Sequence, residues 1–115
     1  MNLLDQTALD RLRDFGGDKL LRGMIELFVK NAPDKATAAR TALDAGDAPA
    51  LKAALHGLKS SAGQLGASTV HAACAAGEEM AARGDLAGCA DHVASIEHDL
   101  PLVCDSLLTI RPAQA

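Results

Sequence analysis

A chain of 115 residues, 49% hydrophobic and 23% charged, is long enough for one domain with its own core and too short for a second independent one. A formal net charge of −4, no Lys/Arg run, and neither Trp nor Tyr exclude a phosphate-backbone partner and the stacking platforms that single strands use, so nucleic acid is not expected. No apolar run approaches the roughly 18 residues of a membrane span, and Met1-Asn2-Leu3-Leu4-Asp5 lacks a basic stretch followed by an apolar one, so no membrane association is expected and cytoplasmic residence is.

Nearly every segment between punctuating Gly, Pro and Asp residues repeats its apolar side chains at three and four, with no strand alternation and no hairpin dipeptide. A short first helix is expected from about Gln6 to Phe15, capped by Asp5, with Leu9 and Leu12 inward, and stopped by Gly16-Gly17. Asp18 would cap the second, which carries Leu20, Leu21, Met24, Ile25, Leu27 and Phe28 and keeps its period through Ala36, Ala39, Ala42 and Leu43. Pro33 should kink or split it. Ala45-Gly46-Asp47 reads as a stop and a cap, with Pro49 in the first turn of a third helix that Gly63 and Gly66 weaken near its end. An Ala-rich helix from Ala67 to about Arg83 ends at Gly84, its small side chains allowing close backbone approach. Asp85 opens the last helix, whose stripe is Leu86, Val93, Ile96, Leu100, Val103 and Leu107, with a bend at Pro101. Such amphipathic helices joined by short turns imply an all-α fold, an antiparallel four-helix bundle with a short additional N-terminal helix closing one end. Residues 1–115 form a single domain, its core about 5–108, with 111–115 a frayed tail.

Cys74, Cys89 and Cys104 stand fifteen residues apart without the close pairs of zinc sites, and read as buried free thiols. His71, His92 and His98 form no Glu-x-x-His pair, so no metal site is expected. Phe15, Phe28 and the methionines read as core. No nucleotide-binding motif is present, so the chain is not expected to be a kinase.

The stretch around His56 carries the chemistry. Leu51, Leu55, Leu58, Ala62 and Leu65 fall within an arc of about 80° on a helical wheel, centred almost opposite His56. The leucines therefore face the core and the imidazole faces water, with Lys52, Lys59, Ser60 and Gly63 its neighbours on the outer face. An imidazole with its reference pKa of about 6.5 leaves a sizeable neutral fraction near neutral pH, able to attack phosphorus. Phosphoryl transfer then needs mainly positioning and charge stabilisation. Lys59, one turn on, suits neutralisation of phosphoryl oxygens; Lys52 would add to the field and Ser60 could donate a hydrogen bond. Gly57 and Gly63 would keep the surface low for an approaching protein, with Gln64 on the same docking surface.

These residues resemble the histidine-containing phosphotransfer (HPt) domains of multistep phosphorelays. The similarity rests on His56, Leu58, Lys59, Leu65, Gly66 and Ala67, followed at the family's offsets by Cys74 and Glu78. Gly16-Gly17 before Leu20-Leu21, the triplet Glu26-Leu27-Phe28, and Ala45-Gly46-Asp47 extend it over about residues 5–108. The resemblance implies that His56 accepts a phosphoryl group from an aspartyl phosphate on a response-regulator receiver and passes it to another. It also implies that Glu78 orients the imidazole from the neighbouring helix, and that Mg2+ is bound by the receiver and no cofactor by this chain. The implied partners are receiver domains and a hybrid sensor histidine kinase, met by a monomer. The initial Met and short tail favour a free-standing chain over a piece of such a kinase.

Three positions depart from the family pattern. Ser60 stands where glycine is commonest, Gly63 adds a second helix-weakening residue, and Gly77 replaces a leucine, which should thin the core beside Glu78. The rival functional reading is a helical adaptor that binds a kinase or response regulator without accepting phosphate, and a metal-binding bundle comes third.

Overall fold

Three aspartates set where helices begin. In the computed structural model, which describes residues 3–113, Asp5 Oδ1 accepts from the Thr7 amide (3.0 Å), Asp47 Oδ1 from Ala50 (3.1 Å) and Asp85 Oδ1 from Gly88 (2.9 Å). Each bond satisfies a donor that the first helical turn leaves free. The helices that follow are α1 (Gln6–Asp44), α2 (Ala48–Gln64) and α4 (Leu86–Ile110); α3 (Ser68–Ala82) starts from Ala67 without a side-chain cap. Gly46, Gly66 and Gly84, at φ 71°, 68° and 75°, turn the chain between them. With three-residue connections, successive helices must run antiparallel, and they close a ring in which α1 packs on α2, α2 on α3, α3 on α4 and α4 on α1. The all-α bundle expected from the sequence is thus the one observed.

The break in α1 falls at Gly17 (φ 73°, ψ −172°), so residues 6–16 are the short N-terminal limb and the long part of α1 follows. Asp18, expected as a cap, pairs instead with Arg13 Nε across the break at 2.9 Å. Pro33 does not divide its helix: backbone on both sides stays helical. The ring is exposed, so water can satisfy the Val29 carbonyl that Pro33 leaves without a donor, and Thr37 Oγ1 donates to Pro33 O at 3.1 Å. α4 likewise runs as one helix through Pro101.

Leu51, Leu55, Leu58, Ala62 and Leu65 are all buried, as the helical wheel requires, and meet Ile25 and Phe28 of α1, Val70 and Cys74 of α3, and Val93, Ile96, Val103 and Leu107 of α4. Ala32, Ala36, Ala39 and Ala42 keep the α1 stripe narrow. All three cysteines are free and buried, and burial pushes the Cys74 thiol up to about 12.

Phe15 corrects the sequence reading: expected in the core, it is 88% exposed. It lies on the limb before Gly17, which docks through Leu9 and Ala8 on the α2–α3 turn and leaves Phe15 facing away from the bundle. Residues 111–113 follow α4 without regular secondary structure and lie beside α1. Arg22 Nη1 donates to Ala113 O (3.3 Å), and Arg111 lies 3.9 Å from Glu26 Oε2; residues 114–115 fall outside the described part.

Gly77 does not thin the core. It is buried, and a Cβ there would come within 3.0 Å of Leu55 Cδ1 and 3.6 Å of His92 Cβ, so α2 and α4 have closed over the place a leucine would take. At Gly66 the demand is stricter still. Its φ is positive, the Asp5 amide donates to its carbonyl at 2.6 Å, and a Cβ would lie 2.6 Å from Asp5 O.

Candidate functional site

The leucine face of α2 fixes which way His56 points. With Leu55 and Leu58 buried on either side of it in sequence, the imidazole stands out of the bundle, 62% exposed. α3 packs against α2 and brings Glu78 alongside: His56 Nδ1 donates to Glu78 Oε1 at 2.8 Å. A carboxylate accepts only, so this bond places the ring proton on Nδ1 and leaves Nε2 as the lone-pair nitrogen. Among the described residues nothing bonds Nε2.

The other oxygen of Glu78 is used as well. Lys59 Nζ lies 2.6 Å from Glu78 Oε2, and the carboxylate itself is mostly shielded from water. The Lys59 ammonium, with His56 second, holds Glu78 below the usual carboxylate range although partial burial pulls the other way. His56, Lys59 and Glu78 therefore form one cluster. Its electrostatics differ from the expectation in one respect, because the positive charge of Lys59 is balanced by Glu78 while the ring is unmodified.

The remaining expected site residues fall into two groups. Lys52 is exposed one turn before His56, without a carboxylate partner among the described residues, and Gln64 is exposed on the rim of a groove between α1 and α2. Ser60, Gly57 and Gly63 sit on or beside the face, each with a neighbour in the resting structure. Ser60 Oγ donates to His56 O at 3.2 Å, so its proton serves the helix backbone. Gly63 lies under the ring of His71, whose Nδ1 would be 3.0 Å from a Cβ there; that ring also donates to Lys59 O at 3.1 Å. Gly57 lies beneath the side chain of Lys35, with Nζ 3.9 Å from the position a Cβ would occupy.

Lys35 and His71 are the residues that sequence reasoning missed. Lys35 borders the buried Ala32–Ala36–Ala39 stripe of α1, and that edge position was the available signal. Its Nζ reaches Ser61 Oγ on α2 at 3.3 Å. His71 carried no comparable signal, since its role depends on how α3 crosses α2. Among the described residues no three His, Cys, Asp or Glu side chains converge as metal ligands would.

An exposed imidazole with one nitrogen held by a carboxylate and the other free can take and release an electrophilic group without leaving its rotamer. Comparisons with known proteins point the same way. The family described as the Hpt domain matches residues 23–108. The crystal structure of histidine-containing phosphotransfer protein B from Pseudomonas aeruginosa PAO1 aligns with a TM-score of 0.88 at 27% sequence identity, covering 95% of this chain and 94% of that one. No curated protein matches the chain.

Proposed function

The chain belongs to the Hpt domain family and has a phosphotransfer role in phosphorelays, and from that premise we propose that Nε2 of His56 is the atom that carries the phosphoryl group. The observation that supports this most directly is the 2.8 Å bond from Nδ1 to Glu78, which leaves the exposed Nε2 with its lone pair. In the proposed step, that lone pair attacks the phosphorus of an aspartyl phosphate on a receiver domain. The N–P bond forms, the P–O bond to the aspartate breaks, and the carboxylate leaves with the electron pair. The Nδ1 proton stays in place, and the positive charge that develops on the ring is met by Glu78. Return of the group to a second receiver is the same path reversed.

Lys59 has three N–H donors and uses one direction on Glu78, so the others can meet phosphoryl oxygens one turn from the ring. Lys52 adds charge from the preceding turn. Mg2+ belongs to the receiver in this reading, and a hybrid sensor kinase supplies the phosphate, since nothing in the chain's motifs serves ATP. No helix among the described residues is long and apolar enough to cross a membrane. In this reading the carrier is a monomer that meets its partners in the cytoplasm.

The test is transfer from a phosphorylated receiver, with Mg2+, to wild type and to His56→Gln. The carrier reading expects acid-labile label on the wild type and none on the variant. Equal labelling of both would remove His56 from the role, and labelling of neither would favour a passive adaptor.

A further inference from the structure

Lys59 neutralises Glu78 at rest, so a dianion on Nε2 would share it with a carboxylate already 2.6 Å away. On the opposite flank of His56 stands a cation with no such commitment. Lys35 of α1 is half-buried, its Nζ rests on the neutral Ser61 Oγ at 3.3 Å, and among the described residues no carboxylate pairs with it. Its terminal methylene and ammonium lie 3.8 and 3.9 Å from the Cβ position of Gly57, the residue next to His56. Chain geometry then puts the ammonium within roughly 9 Å of the His56 Cα, and other rotamers are open to its four-carbon chain.

A lone hydroxyl does little for an ammonium compared with a phosphate dianion. We propose that Lys35 is a phosphoryl-binding residue: it waits on Ser61 and moves to the phosphoryl oxygens once His56 carries them. The inference rests on the carrier reading of His56, and it places one cation on each side of the group, Lys59 from α2 and Lys35 from α1. Gly57 would then serve as the low ground over which the Lys35 chain crosses from α1 to the ring.

The test needs no protein partner. Phosphoramidate transfers its phosphoryl group to histidine, its P–N bond breaking with loss of ammonia as the new N–P bond forms. Treated wild type, Lys35→Ala, Lys35→Arg and His56→Gln proteins would be titrated by 31P NMR, the last identifying the resonance of residue 56. The charged groups facing that phosphoryl are Lys59, Glu78, Lys52 and Lys35, and only the last differs between the first three samples. A positive charge lowers the midpoint of the second phosphoryl ionisation. One unit charge at about 6 Å through water is equivalent to about 0.5 pH unit.

Lys35→Ala is therefore expected to raise the midpoint by about 0.5 pH unit and Lys35→Arg to restore it. A midpoint unmoved in Lys35→Ala would overturn the inference, and slower transfer from a receiver in that variant would then assign Lys35 to contact with the protein partner. If phosphoramidate labels His56 but no receiver does, the carrier reading fails while the midpoints still judge Lys35. Absence of any label on residue 56 would refute both.

Discussion

At the scale of the residue, Glu78 is the most constrained group in the site, because one carboxylate answers both the ring of His56 and the ammonium of Lys59. Glu78→Gln keeps an oxygen for Nδ1–H and loses the charge, so ring orientation should survive while Lys59 is released. Transfer from a receiver is expected to slow about tenfold, equivalent to about 1.4 kcal/mol in the barrier, measured by single-turnover labelling. The same pair has a pH signature. Because the folded-state pKa of Glu78 is depressed, chiefly by Lys59, its contribution to stability is full above the ordinary carboxylate value and disappears as pH falls through the lower folded one. The stability gap between wild type and Glu78→Gln should accordingly be present at pH 7 and shrink below about pH 4, read from urea midpoints at several pH values. His56, Lys59 and Glu78 were legible in the sequence through spacing and resemblance. The pairing of Lys59 with Glu78 was not, since it depends on the distance between two helices, a quantity that no single helix encodes.

At the scale of the element, helix starts were legible because an aspartate side chain has one short-range task at each of them, and Asp5, Asp47 and Asp85 perform it. The split expected as one outcome at Pro33 does not occur, because a proline's cost depends on whether water reaches the carbonyl it orphans. Phe15 misled because amphipathic spacing shows which side chains share a face and not whether another element lies across from it. Gly77 shows the converse: its neighbours, Leu55 foremost, close the space that composition alone would leave empty. Refilling it should therefore hurt. Gly77→Leu is expected to cost about 1–3 kcal/mol by overpacking against Leu55, measured by urea denaturation. Gly66→Ala, strained in φ and within 2.6 Å of the Asp5 carbonyl oxygen, should cost a similar ~1–3 kcal/mol in the same assay.

At the scale of the whole molecule, the ring of four helices hides every thiol, and burial raises all three above the ordinary cysteine value. A thiol-specific reagent at neutral pH should label none of Cys74, Cys89 and Cys104 in the native protein and all three in denaturant, as counted by mass spectrometry. With no Trp or Tyr, unfolding has to be followed by circular dichroism. The overall topology was legible because three-residue turns allow only antiparallel neighbours; the placement of the N-terminal limb was not, because it depends on a backbone contact between residues 61 positions apart. That contact, the Asp5 amide on the Gly66 carbonyl, acts as a clasp where α2 and α3 meet. His56 rides on one of those helices and Glu78 on the other, like the blades of scissors sharing a rivet. Loosening the rivet from afar is expected to let the blades drift, so a change at Gly66 should be felt in the 2.8 Å pairing of His56 with Glu78 as well as in stability.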